Sequence, residues 1–341
     1  MTGQQGVSII VPVLQEEGFL ETAVRHLLEQ DYTGPMEIVL ALGPSTDATT
    51  EIAHRLAAAD SRIRCVDNPT GRTPSGLNAA IAASSHDVIV RVDAHAEIPR
   101  DYVTVAVTTL AKTGADNVGG VMGAVGVTAF ERAVAAAMTS VFGVGAASFH
   151  VGGGEGPAPT VYLGAFKRST LEAVGGYDET FVRAQDWEMN HRIRNSGGVI
   201  WFTPRMHVTY RPRGTVRSLG RQYMHYGRWR REVMRRHPET AKTLGALRYF
   251  APPLVTVGVL GGTALGAVSA AMGADWGLWA IAFPFAYLLG VIAVSPFVAR
   301  NDGIGVLVRV PLVLATMHLS WGWGFITSPR DLREGELTGS R

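Results

Sequence analysis

The 341-residue sequence contains a single cysteine, Cys65, so no disulfide can form within the chain and a reducing compartment is its natural setting. Charge is scarce: Asp, Glu, Lys and Arg make up 18% of residues, against ~25% in ordinary soluble domains. The balance is only +2, which excludes a broad polyanion-binding surface and argues against nucleic acid as a partner. The polar first residues lack a basic region followed by an apolar core, and the first apolar run, at 7–14, is short and interrupted by Pro12. No cleaved signal peptide is expected, so the amino-terminal part is expected to stay in the cytosol.

The missing charge is concentrated beyond Ala251, where apolar stretches occupy 252–273, 276–299 and 304–326. Each approaches the ~20 residues needed to cross a bilayer core. Trp276, Trp279, Trp321 and Trp323 lie near stretch ends, where interfacial aromatics belong. The third stretch contains Arg309, Pro311 and His318 and reads either as a crossing or as a tilted or re-entrant segment. Three crossings from a cytosolic domain would leave Arg330 and Arg333 outside, against the positive-inside tendency, so the topology stays open. Ahead of these stretches, nine arginines lie between Arg211 and Arg236 with Glu232 as the only acid. That cluster reads as a juxtamembrane patch drawn to anionic lipid, or as a solvated basic helix.

The first ~110 residues alternate short β-branched runs with helical periodicity. Strands are expected at 7–13, 37–41, 63–66 and 88–92, and helices at 16–30, 48–59 and 75–84. Such alternation predicts an α/β fold with a mainly parallel sheet covered by helices on both faces. The small-residue run at 130–149 suggests a helix, either at the membrane surface or in the core. Glycines at 152–154 and 156 predict a mobile loop over 152–157.

The strand at 88–92 ends in Asp93-Ala94-His95. At the carboxyl edge of an open α/β sheet, a carboxylate and an imidazole two residues apart can hold a divalent cation or a ribose. Further motifs follow in order: Val11-Pro12-Val13-Leu14-Gln15-Glu16-Glu17, Gly43-Pro44-Ser45-Thr46-Asp47, Gly71-Arg72-Thr73-Pro74-Ser75-Gly76-Leu77-Asn78, Gly175-Gly176-Tyr177-Asp178-Glu179 and Gln185-Asp186-Trp187-Glu188. Together they resemble the family 2 glycosyltransferases, with the GT-A nucleotide-diphospho-sugar transferase fold. The likeness spans about 7–240 and is nearest to membrane-anchored bacterial exopolysaccharide transferases of the succinoglycan type.

The resemblance implies a cytosolic GT-A domain at 1–240, a membrane region at 241–330 and a polar tail at 331–341. It implies that Pro12, Val13, Glu16, Asn78, Asp93 and Arg213 meet the nucleotide-sugar donor. Asp93 and His95 would hold Mn2+ or Mg2+, the imidazole favouring Mn2+. Asp186 would be the general base, with Glu188 its local competitor, and Trp187, Gln222, Arg228 and Trp229 would meet the acceptor. The expected activity is inverting transfer of a single sugar, with UDP as the leading nucleotide, to a lipid-linked polyprenyl or glycan acceptor at the inner membrane. The chain would be multi-pass, with its catalytic domain cytoplasmic. Polyprenyl phosphate itself as acceptor, and a catalytically silent membrane scaffold, are the alternatives. Two departures from the family pattern stand out. Five residues, not two, separate Gln222 from Arg228, which disfavours a polymerase, and Leu42-Gly43 stands where an acid commonly meets the nucleotide base.

Overall fold

The computed structural model describes residues 5–145, 147–242, 244–330 and 332. Its strands are β1 (Val7–Val13), β2 (Met36–Leu42), β3 (Ile63–Asp67), β4 (Val88–Arg91), β5 (Asn117–Ala124), β6 (Gly156–Pro157), β7 (Tyr162–Lys167) and β8 (Ile200–Tyr210). The first helices are α1 (Leu20–Leu28), α2 (Thr49–Ala59), α3 (Thr73–Ala83), α4 (Tyr102–Thr113), α5 (Ala129–Met138), α6 (Val141–Val144) and α7 (Ser148–Val151). They are followed by α8 (Arg168–Ala173), α9 (Gln185–Asn195), α10 (Val216–Arg236), α11 (Ala251–Ala271), α12 (Gly277–Val298), α13 (Ile304–Leu307) and α14 (Val310–Ile326). Packing separates the chain into two units: Met1–Gly123 with Ser148–Tyr210, and Ala124–Ala147 with Arg211–Arg341.

The first unit is built on one sheet, in the order β3-β2-β1-β4-β7-β5-β8-β6. β3, β2, β1 and β4 run parallel, and β7 then pairs antiparallel with β4 and with β5. Alternate side chains of β1 serve opposite faces. Ile9 and Val11 pack with Leu20 and Val24 of α1 and with Val103 of α4. Ile10 packs with Leu77 of α3 and with Met189 and Ile193 of α9. Burial on both faces explains why these strands read as continuous apolar runs.

Strand order reverses between β1, which continues to β2 and β3, and β4 on its other side. Register between β1 and β4 ends at Ile10↔Arg91, so Pro12, which has no N–H to donate, lies beyond their ladder. The strand ends part there. That crevice is where an α/β sheet binds its ligands.

In the second unit, α11 and α12 pack closely through glycines: a Cβ at Gly262 would strike the Ala280 carbonyl, and one at Gly266 the Ile281 side chain. Small residues at such contacts let two apolar helices approach without a polar seam. Among the described residues, three segments are long and apolar enough to cross a membrane: Ala246–Ala271, Gly277–Val298 and Ile304–Ile326. The run at 130–149 is not one helix. Ser140 accepts the Phe142 N–H at the start of α6, and Gly145 ends α6 at φ 74°, so three short pieces replace it. Residues 211–240, which the sequence suggested as the end of the first domain, pack with the apolar helices.

Candidate active site

The loop after β1 is clasped to the loop after β2. The Gln15 N–H donates to Ser45 Oγ at 3.0 Å, its amide donates to Thr46 Oγ1 at 2.8 Å, and Thr46 N–H returns a bond to Gln15 Oε1 at 2.7 Å. The Glu16 N–H donates to Thr49 Oγ1 at 2.7 Å. Gln15 takes a left-handed φ of 56°, strain that these bonds hold in place. A Cβ on Gly43 would lie 3.0 Å from Leu14 and 3.2 Å from the Gly71 backbone. A side chain at position 43 would need Leu14 or the 71 turn to give by a few tenths of an ångström.

Glu16 is buried, and its Oε1 lies 3.0 Å from Nδ1 of the half-exposed His95, joining the ends of β1 and β4 across the crevice. A carboxylate on Nδ1 fixes the ring with Nε2 as its basic nitrogen, the arrangement that favours metal ligation. His95 is preceded by Asp93, whose Oδ1 accepts from Arg91 Nε and Nη2 at 3.3 and 3.1 Å. Arg91 is 2% exposed and spans two acids, because its Nη1 also donates to Asp186 Oδ1. Asp93 and Asp186, 93 positions apart in sequence, thus share one guanidinium.

Burial alone would lower the pKa of Arg91, but Asp186 and Asp93 overcome it and hold the guanidinium well above its ordinary value. Burial pushes Asp186 up to about 6; Arg91 opposes the rise and Asp93 adds to it. The Leu163 N–H also bonds to Asp186. Leu163 and Ala184, the latter immediately ahead of α9, are left-handed at φ 56° and 60°. With Gln15, they are the described non-glycine residues at positive φ, and two of the three set Asp186. A carboxylate with a pKa near neutrality, held by fixed donors in a crevice, has the properties of a general base.

Other expected residues have different surroundings. Asn78 donates to Tyr177 O at 2.8 Å and to Glu179 Oε1 at 3.1 Å, and accepts from Tyr177 N–H at 2.8 Å. Its amide brackets α3 to the 176–179 turn. Trp187 stacks on His191, with ring centroids 5.0 Å apart. Glu188 is 2% exposed and ion-paired to Arg192 at 2.6 Å, which leaves Asp186 as the crevice carboxylate of this segment. Arg213, Gln222, Arg228 and Trp229 belong to the second unit. There Gln222 donates to Tyr226 Oη at 2.9 Å, and Trp229 is buried.

Arg91 was not assigned a site role from sequence. The available signal was a lone cation inside Val88-Ile89-Val90-Arg91-Val92, since a buried charge there requires partners. Glu179, which accepts from Ser75 Oγ at 2.7 Å and has its pKa lowered by Ser75 and Asn78, was missed as well.

Comparison with known proteins places this geometry in context. The model of "Glycosyl transferase family 2" matches residues 8–175. The chain is also 32% identical over 327 residues, 95% of both chains, to "Succinoglycan biosynthesis protein ExoA" of Rhizobium meliloti (strain 1021). The chain belongs to glycosyl transferase family 2. This glycosyltransferase is further similar, at 23% identity over 65% of its length and 71% of the relative's, to a Methanococcus voltae protein. That relative is a "Dolichyl N-acetyl-alpha-D-glucosaminyl phosphate 3-beta-D-2,3-diacetamido-2,3-dideoxy-beta-D-glucuronosyltransferase". Its fold is shared with the mannosyltransferase PcManGT from Pyrobaculum calidifontis, solved with GDP-Man and Mn2+. The TM-score is 0.60 at 22% identity, over 97% of this chain and 89% of that one.

Proposed function

We propose that this glycosyltransferase moves one sugar from a nucleoside-diphospho-sugar to a hydroxyl of a lipid-linked or glycan acceptor, inverting the anomeric centre. The reaction would take place at the cytoplasmic face of the inner membrane during exopolysaccharide or envelope assembly. One observation carries the reading: Arg91 ties Asp93 and Asp186 together beside the β1–β4 crevice. The succinoglycan protein supports the biosynthetic setting, and the dolichyl-linked substrate in the Methanococcus relative's name supports a lipid-linked acceptor.

Donor diphosphate fits over the crevice, with the loops after β1 and β2 around the nucleoside. On the β1 side of that position the half-buried Pro12 and the backbone of Val13, whose side chain belongs to the core, lead into Glu16. Uridine is the base that the family resemblance favours. A divalent cation, Mn2+ or Mg2+, held by Asp93 and by His95 through Nε2, would supply charge stabilisation to the departing diphosphate. The donor set fits such an ion: Glu16 orients the imidazole, and Asp93 keeps Oδ2 beside the Oδ1 bound to Arg91. Trp187, beside Asp186 at the start of α9, would meet the acceptor.

As the acceptor oxygen forms its bond to the anomeric carbon, Asp186 takes the hydroxyl proton. The bond from that carbon to the diphosphate oxygen breaks, and its electron pair leaves with the nucleoside diphosphate. A single displacement converts an α-linked donor into a β-glycoside. The test is turnover by detergent-solubilised protein with membrane lipid extract and Mn2+, over a panel of UDP- and GDP-sugars. The expected result is one sugar added per acceptor, by mass, with inverted configuration. Consumption of no donor would favour a silent scaffold, and addition of many sugars would favour a polymerase.

A further inference from the structure

Three apolar segments invite a reading of three crossings, but the third is packed along the most basic helix of the chain. α14 lies beside α10 over several turns, both helices running in the same direction. A Cβ on Gly220 would lie 3.1 Å from Ser320 Oγ, and one on Gly227 would strike the Trp321 carbonyl. Conversely, a Cβ on Gly324 would strike the Met224 carbonyl. Nearer the carboxyl end, Arg231 Nη1 donates to Phe325 O at 3.1 Å, Arg235 Nη2 to Ser328 O at 2.8 Å, and Ser328 Oγ to Arg228 O at 3.2 Å.

Backbone contact this close, in step along both helices, keeps α10 and α14 at one depth. α14 also touches α11 and α12, with Thr256 Oγ1 donating to Leu319 O at 3.4 Å and Tyr287 Oη 3.1 Å from His318 Nδ1. α10 carries seven arginines between Arg217 and Arg236, with the buried Glu232 paired to two of them. A crossing by α14 would carry that helix and its arginines into hydrocarbon, where each cation is strongly disfavoured. The exposed apolar side chains of α14 are few: Leu312, Trp323 and Ile326 among the described residues. They suit the boundary between acyl chains and headgroups, where a tryptophan ring is also favoured.

We infer that only α11 and α12 cross the membrane, and that α10 and α14 form one two-helix layer lying in the phospholipid headgroup plane. The inference concerns the membrane region alone and holds whether or not the assigned chemistry is right. The exposed Arg217 and Arg236 of α10 face lipid phosphates, and the apolar edge of α14 reaches the upper acyl chains. Two crossings return the chain to the side on which α10 lies. Asp275, in the turn between α11 and α12, is left alone on the far side, and Asn301 and Arg330 share the α10 side.

The test uses the full chain with Cys65→Ser and one new cysteine at a time: Asp275→Cys, Asn301→Cys or Arg330→Cys, all exposed positions. A membrane-impermeant maleimide is applied to intact and permeabilised spheroplasts. Labelling at position 275 on one side, with 301 and 330 together on the other, is expected. Labels at 301 and 330 on opposite sides, or at 275 and 301 on the same side, would overturn the inference. A bimane at Trp323→Cys, in phosphatidylethanolamine–phosphatidylglycerol vesicles, gives a second readout that needs no activity. Stronger quenching by a headgroup nitroxide lipid than by a mid-chain one is expected, and the reverse order would overturn it.

Discussion

Arg91 gives the crevice its charge order. It is a cation buried in a strand, so it requires anionic partners, and the two it finds come from the end of its own strand and from the first turn of α9. Because Asp186 sits at about 6, the fraction ionised falls as pH drops through that value. Transfer is therefore expected to decline on the acid side with a midpoint near 6, measured as initial rate against pH at saturating donor. The sign for stability is opposite. A carboxyl raised from its ordinary value near 3.8 to about 6 favours the fold when protonated, so its contribution is present below the lower value and lost as pH rises to the upper. Glu16→Gln should weaken Mn2+ binding in the presence of nucleoside diphosphate by about 10–100-fold, the usual effect of losing a carboxylate behind a histidine ligand. Titration calorimetry reads that change, and unaltered affinity would remove Glu16 from the site. Asp93, His95 and Asp186 were legible in sequence because each lies in a short motif at a strand or helix end. The link through Arg91 was not, since 95 positions separate it from Asp186 and only the fold brings them together. Nor could sequence reveal that Asn78 uses its amide on the 176–179 turn.

The elements up to β4 followed from periodicity because β-branched runs and amphipathic helices carry a one-dimensional signal. The expected strand at 63–66 and helix at 75–84 correspond to β3 (Ile63–Asp67) and α3 (Thr73–Ala83). The run at 130–149 was less legible because its small residues suit a helix throughout, while Ser140 and Gly145 interrupt it only through local capping and a left-handed φ. α14 shows the wider limit of such reading. Its composition suits lipid, but hydropathy takes no account of a neighbour such as α10. An arginine at the bilayer centre is disfavoured by about 2.5–3.5 kcal/mol on insertion scales, so packing against α10 outweighs the apolarity of α14. Gly227 and Gly324 are equally tight points of this contact, where an added methyl meets backbone and has no flexible side chain to displace. Gly227→Ala should destabilise the folded protein by about 1–3 kcal/mol, the usual range for overpacking. A lowered midpoint of thermal unfolding in detergent would report it, and an unchanged midpoint would show that the helices separate easily.

At the scale of the whole molecule, a sheet that reverses its strand order supplies the crevice, and the second unit carries helices long and apolar enough to cross a membrane. The family relationship establishes a glycosyltransferase, and the proposed donor, acceptor and metal chemistry is assigned to named side chains. The base assignment is where these meet. The most direct measurement pairs donor affinity with turnover in Asp186→Asn, a substitution that keeps shape and removes basicity. The account predicts donor affinity within about threefold of the parent and transfer reduced by roughly 10²–10⁴-fold, the contribution of a positioned general base. Near-parental transfer by Asp186→Asn would contradict it.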